Sequence, residues 1–272
     1  MDNKLKIHTL RSSSKGNAEV ICGKNTKILV DCGISGKVLE ESLGELGLCG
    51  EKIDAVVVTH EHTDHIKGVG ILSRKHNIPI YANEHTWNAM RSCIGKVADE
   101  NIRIFRTDTE FKIGGIDVRA FGIPHDASEP VGYTFRTEKQ MVAVATDMGE
   151  IMENVLEAVT GCDEILLEAN YDLGMLEMGP YPYELKRRIK SRYGHLCNDD
   201  AGVFASKLAA SGTRKIILGH LSWENNYPDL AFYTVRNILT ENGIDVGKNI
   251  DLSVAQRDKT GEVQPYIKGS VD

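Results

Sequence analysis

Thr59-His60-Glu61-His62-Thr63-Asp64-His65 sets three imidazoles and two carboxylates within six positions, directly after the apolar run of residues 53–59. Such a run, bounded by polar residues, is the pattern of a strand buried on both faces. In an extended loop, His60 and His62 point the same way because side chains alternate with period two. If the chain then turns into a helix, Asp64 and His65 can face a second point nearby. One loop thus offers two donors to each of two ions. Imidazole and carboxylate suit Zn²⁺, Mn²⁺ or Fe²⁺ better than Ca²⁺ or Mg²⁺. A solvated His-rich loop is the plain alternative, and two nearby histidines alone would fit it. The full His-x-His-x-Asp-His pattern after a strand is far more specific.

Working outward, 272 residues suit one large α/β domain, read here as residues 1–272. The 41% hydrophobic and 26% charged composition excludes a wholly disordered chain. With 32 Lys plus Arg against 39 Asp plus Glu, the net charge of −7 supplies no global field for a nucleic-acid backbone. Bound cations would add local positive charge that this sum omits. The six cysteines are scattered with no Cys-x-x-Cys pair, which reads as thiols in a reducing compartment. Residues 1–6 lack the apolar stretch of a signal peptide, and no run approaches the roughly 18 apolar residues of a membrane span. A cytoplasmic, membrane-free protein is expected. Oligomeric state is left open.

Strand patterns recur at 4–10, 18–22, 27–31, 78–81, 116–122, 132–136, 141–145, 164–168, 214–218 and 250–255. Helical patterns occupy 66–76, 149–159, 183–192, 199–210 and 229–241, with Asn198 or Asp199 as cap of the fourth. Strands precede helices in both halves, so the expected architecture is two sheets with helices packed outside.

His60-x-His62-x-Asp64-His65 resembles the signature of the metallo-β-lactamase superfamily. The other donors that this resemblance requires occur in order: His125 after the strand at 116–122, Asp147 in Ala145-Thr146-Asp147, and His220 in Leu218-Gly219-His220. Asp31 matches the early aspartate that supports the metal loop. The implied fold is an α/β, four-layer αββα sandwich. The implied cofactors are two divalent transition-metal ions, Zn²⁺ or Mn²⁺, with iron a further candidate. His60, His62 and His125 would hold one ion, Asp64, His65 and His220 the other, and Asp147 would bridge them. Each distal donor is weak alone, since a histidine after a strand is usually structural and Thr-Asp often caps a helix. Their joint order carries the reading. His8, His76 and His85 lack such a context and are read as structural or surface residues.

Further stretches are similar to the YycJ/WalJ-like subgroup of that superfamily: His125-Asp126-Ala127-Ser128-Glu129-Pro130, Glu168-Ala169-Asn170-Tyr171-Asp172, Gly179-Pro180-Tyr181-Pro182, Gly194-His195-Leu196-Cys197-Asn198, and residues 218–226. This implies phosphodiester hydrolysis, including exonuclease action, with DNA ahead of RNA as the nucleic-acid partner. Two departures bear on substrate contacts: Cys197 where serine is common, and an opening, Ser12-Ser13-Ser14-Lys15-Gly16-Asn17, poorer in glycine. Ser14 and Asn17 are assigned to substrate phosphate, although the same residue types make any tight turn. His195 follows Lys186-Arg187-Arg188-Ile189-Lys190-Ser191-Arg192, with five basic residues in seven positions. A solvated amphipathic helix is one reading. The other lays these cations along a phosphate backbone, with His195 contacting the scissile phosphate or protonating the leaving oxygen.

The expected mechanism has two ions ~3.5–4 Å apart bridging a hydroxide, with Asp64 orienting or deprotonating the nucleophile. Three alternatives compete: a hydrolase of the same fold acting on a lactam, lactone or thioester, a regulatory binding protein with a structural metal, and a di-iron oxidoreductase. Seven donors count against a structural site, which usually closes with four. No attached flavin-binding domain supports the redox reading.

Overall fold

The computed structural model describes residues 4–263. Strands β1 (Lys6–Ser13), β2 (Gly16–Cys22), β3 (Lys27–Val30), β4 (Ala55–Val57), β5 (Ile80–Asn83) and β6 (Ile102–Phe105) form one sheet in that order. Its first three strands are antiparallel and the rest parallel. The second sheet comprises β7 (Glu110–Ile113), β8 (Ile116–Gly122), β9 (Val131–Arg136), β10 (Met141–Ala145), β11 (Glu164–Glu168), β12 (Lys215–Gly219), β13 (Asp251–Ala255) and β14 (Glu262–Val263), again adjacent in chain order. Strands β10 to β13 run parallel, and both flanks are antiparallel.

Period-two alternation explains why the central strands are apolar throughout. Ile28, Val30, Ala55 and Val57 meet Val142, Val144, Leu166 and Ile217 in one layer between the sheets. The intervening residues face helices. Leu29 and Val56 pack under α1 (Gly36–Glu45), α2 (Thr63–Ile66), α3 (Val69–His76) and α4 (Glu84–Ile94), through Leu39, Ile66, Leu72 and Met90. On the far side, Ala143, Ile165, Ile216 and Leu218 pack against Val155 of α5 (Glu153–Val159), Phe204 of α8 (Asn198–Ala210) and Val235 of α9 (Pro228–Glu241). The short helices α6 (Leu173–Met178) and α7 (Tyr183–Ile189) lie between β11 and α8 in the chain. The layers are therefore helices, sheet, sheet, helices, as expected. Among the described residues no helix is long and apolar enough to cross a membrane.

Local differences from the sequence expectation have physical causes. The helix expected at 66–76 is broken into α2 and α3 at Gly68, whose amide donates to the Cys32 carbonyl at 2.7 Å. A Cβ there would fall 2.4 Å from the Ile34 carbonyl oxygen, so only glycine permits this approach. Helix α8 is capped by Cys197, not by Asn198 or Asp199: its Sγ accepts from the Asp200 amide at 3.5 Å. A thiol thereby fills the role that a serine hydroxyl plays at an N-cap. Helices α1 and α4, unread in the sequence, are capped by Ser35 and Asn83.

Candidate metal centre

The site lies where β3, β4, β10, β11 and β12 end. Three residues just beyond strand ends adopt left-handed backbone: Asp31 (φ 57°), Asp147 (φ 60°) and His220 (φ 55°). That conformation costs non-glycine residues of order 1 kcal/mol or more, and strain of this kind gathers at functional sites. Here it turns three polar side chains out of buried strands towards one point.

The loop after β4 is braced from beneath. Asp31 accepts from the Thr59 amide (2.8 Å), the Thr59 hydroxyl (2.6 Å) and His65 Nδ1 (2.7 Å). His65 therefore carries its proton on Nδ1 and turns Nε2 to the site. His125 Nδ1 likewise donates to the Gly194 carbonyl at 3.1 Å. A second ring hydrogen bond of this kind fixes the tautomer of a metal-binding histidine. Gly33 seats the same loop: a Cβ there would lie 1.5 Å from the Asp64 carbonyl oxygen. Gly33→Ala is expected to unseat residues 63–65 and cost about 1–3 kcal/mol. Thermal denaturation checks this, and an unchanged melting temperature contradicts it.

Two donor groups result, His60 with His62 and His125, and Asp64 with His65 and His220. Within each, donor atoms lie within 4.8 Å of one another. Asp147 stands between them. Its Oδ2 is 3.3 Å from both His65 Nε2 and His220 Nδ1, and its Oδ1 is 3.8 Å from His125 Nε2. Asp147 Oδ2 and His220 Nδ1 are buried without a hydrogen-bond partner. Unsatisfied buried atoms are costly, so a pair facing each other across 3.3 Å suits a shared cation.

The electrostatics agree. Burial, reinforced by neighbouring imidazoles, keeps His60 and His220 well below the ordinary histidine range and His125 at about 3, so these rings are neutral. Burial opposes the charged form of His65 too, but the carboxylates of Asp147, Asp31 and Asp64 outweigh it and raise the ring to about 10. Burial, with Glu168 and Asp64 nearby, lifts Asp147 to about 7. His60, His125 and His220 are thus ready to ligate a divalent cation, whereas the proton held on His65 is one that such a cation, drawn to the same carboxylates, would displace.

A further dyad stands beside the donors. Glu168, fully buried at the end of β11, accepts from His195 Nδ1 at 2.7 Å and from the amides of Met148 (2.8 Å) and Leu196 (3.3 Å). His195 Nδ1 also lies 3.7 Å from Asp147 Oδ1. Burial works against its charge, but Glu168 and then Asp147 raise His195 to about 8. Sequence reading did not assign Glu168 a role. The available signal was a carboxylate closing an apolar strand, as Asp31 closes β3.

The proposed substrate residues divide. Asn17 is buried, with Nδ2 3.1 Å from His65 Nε2 and Oδ1 accepting from the Ser13 amide. Ser14 is exposed on the β1–β2 turn. The five clustered cations all have partners: Lys186 donates to the Glu177 and Gly179 carbonyls, Arg187 pairs with Glu184, Arg188 with Asp126, Lys190 with Glu177, and Arg192 with Glu150. Helix α7 buries no side chain, so the solvated-helix reading describes its own packing. Of the remaining histidines, His76 donates to Glu40 on α1 and His85 is exposed.

The fold and donor set define a class: residues 26–220 match the beta-lactamase superfamily domain, and the chain belongs to the metallo-β-lactamase superfamily. It is 39% identical to the exodeoxyribonuclease YycJ of Bacillus anthracis over 248 residues, covering 91% of this chain and 94% of that one. It is also 39% identical to the exodeoxyribonuclease WalJ of Streptococcus pneumoniae serotype 2 over 251 residues, covering 92% and 93%. The metallo-beta-lactamase fold protein YhfI of Bacillus subtilis superposes with a TM-score of 0.72 at 16% identity, covering 96% of this chain and all of that one, which establishes the fold.

Proposed function

We propose that this chain is a two-metal phosphodiesterase, an exodeoxyribonuclease that shortens DNA from an end. The observation that carries the two-metal reading is Asp147, whose two oxygens divide between the donor groups. The substrate reading is supported by near full-length similarity to YycJ and WalJ, each described as an exodeoxyribonuclease.

His60, His62 and His125 would hold one ion, Asp64, His65 and His220 the other, with Asp147 joining both. The mixed imidazole and carboxylate set suits Zn²⁺ or Mn²⁺, and iron as well. Such ions supply Lewis acidity, lowering the pKa of a water and withdrawing charge from phosphoryl oxygens. The protein does the rest. Asp64, the most open carboxylate of the set, can orient incoming water. His195 presents Nε2 because Nδ1 is tied to Glu168, whose carboxylate favours the protonated ring. It can therefore contact a phosphate oxygen and pass a proton to the leaving oxygen. We read residues 1–272 as one catalytic domain, since both sheets share one apolar layer. The cysteines are all unpaired, which supports a reducing, cytoplasmic setting.

End-labelled single- and double-stranded DNA and RNA, incubated with Mn²⁺ or Zn²⁺, test the assignment. The expected products are a ladder receding from one end of DNA. Absence of cleavage on every substrate overturns it.

A further inference from the structure

Three of the sequence stretches singled out above converge on one rim of the site: the turn at 12–17, Gly179-Pro180-Tyr181-Pro182, and the segment after His220. The Ser12 hydroxyl accepts from the His220 amide at 2.9 Å, and Ser13 bridges to Leu221. Tyr181 donates to Glu224 Oε2 at 2.9 Å, and Lys15 Nζ lies 3.6 Å from Glu224 Oε1. At the centre stands Trp223, three residues beyond His220. Lys15 Nζ sits 5.0 Å and Arg257 Cζ 5.2 Å from its ring centroid. Arg257 comes from the chain just after β13; its Nη2 donates to the Asn226 carbonyl, while its buried Nε has no partner.

Of the two tryptophans, Trp87 is 4% exposed and serves the core, whereas Trp223 is 38% exposed. A partly exposed indole with two cations near its ring, three residues beyond a candidate metal donor, matches the chemistry of a nucleotide. Aromatic faces stack bases without regard to sequence, and cations hold the backbone. Lys15, whose side chain is 63% exposed, is free to leave the ring for a phosphate. Arg257, half-buried and tied through Nη2 to the Asn226 carbonyl, fixes its positive charge beside the ring.

Resting on the exodeoxyribonuclease reading above, we propose that Trp223, Lys15 and Arg257 form a subsite for a nucleotide of single-stranded DNA flanking the scissile phosphate. The base stacks on the indole, and the backbone phosphate meets the two cations. Glu224, anchored by Tyr181, holds Lys15 near the ring until a phosphate competes for it.

The test uses the metal-loaded protein and a phosphorothioate oligodeoxythymidylate, which binds but resists cleavage. Fluorescence anisotropy and tryptophan emission report binding, and an unmodified oligonucleotide supplies kinetics. Trp223→Ala is expected to weaken binding and raise KM about tenfold, with kcat changed by less than about twofold. Trp223→Phe, which keeps a π face, should recover most of the loss. Lys15→Ala should reduce the slope of log affinity against log salt by about one. Should Trp223→Ala fail to fold, the Lys15→Ala salt slope decides alone. Binding by Trp223→Ala equal to the parent, or parent tryptophan emission unmoved at saturation, overturns the subsite. Equal losses on duplex DNA overturn its single-strand assignment. A parent protein that cleaves no DNA refutes the functional reading instead.

Discussion

Asp147→Asn is expected to lower kcat for DNA cleavage by about 10³-fold or more, because it removes the one carboxylate placed between both donor groups. Metal ions acting as Lewis acids supply several kcal/mol of transition-state stabilisation, and each 1.36 kcal/mol is a factor of ten in rate. Asparagine tolerates the left-handed backbone that Asp147 adopts, so the turn after β10 survives the exchange. The metal-free protein should be no less stable than the parent. Burial and the neighbouring Glu168 and Asp64 raise the Asp147 pKa to about 7, so its charged form is unfavourable until a cation arrives. Steady-state kinetics and melting curves of metal-free protein check both halves. A kcat within tenfold of the parent contradicts the bridging role.

Glu168→Gln should lower kcat by about 10²–10⁴-fold, the range associated with losing general acid–base assistance. The carboxylate holds His195 by Nδ1 and also accepts two buried amides, those of Met148 and Leu196. A glutamine cannot satisfy all three donors, so a stability loss of about 1–3 kcal/mol should accompany the kinetic effect. The pH profile separates positioning from mere structure. His195 acts in its protonated form, and Glu168 raises its pKa to about 8 against burial. Activity that depends on it is therefore present below that pKa and lost as pH rises through it. Removing the carboxylate should move this basic limb of kcat to lower pH. A variant slowed equally at every pH, with the limb in place, would mark Glu168 as structural only.

The layered fold was legible because its central strands are buried on both faces and read as apolar runs, as at Ala55–Val57 and Met141–Ala145. The candidate donors were legible from their order along the chain, since each lies in a loop or first helical turn that follows a strand. What was illegible depends on distant partners. Nothing near Gly68 shows that its neighbour in space is the Ile34 carbonyl. Glu168 reads locally as the last residue of a strand; its role appears only when the loop between α7 and α8 brings His195 to it. The cations of 186–192 read as a possible phosphate track, but their acidic partners, Asp126 and Glu150 among them, lie far off in sequence. Trp223 shows the converse, a surface aromatic whose neighbours Lys15 and Arg257 come from opposite ends of the chain.

On the proposed function, phosphodiester cleavage depends on two ions, which the donor groups around Asp147 would hold. Titrating metal-free protein with Mn²⁺ while following release of nucleotides from end-labelled DNA tests it most directly. Negligible release is expected without metal, with a rise that saturates only at two ions per chain. Full activity at one ion per chain, or release that ignores the metal altogether, would contradict it.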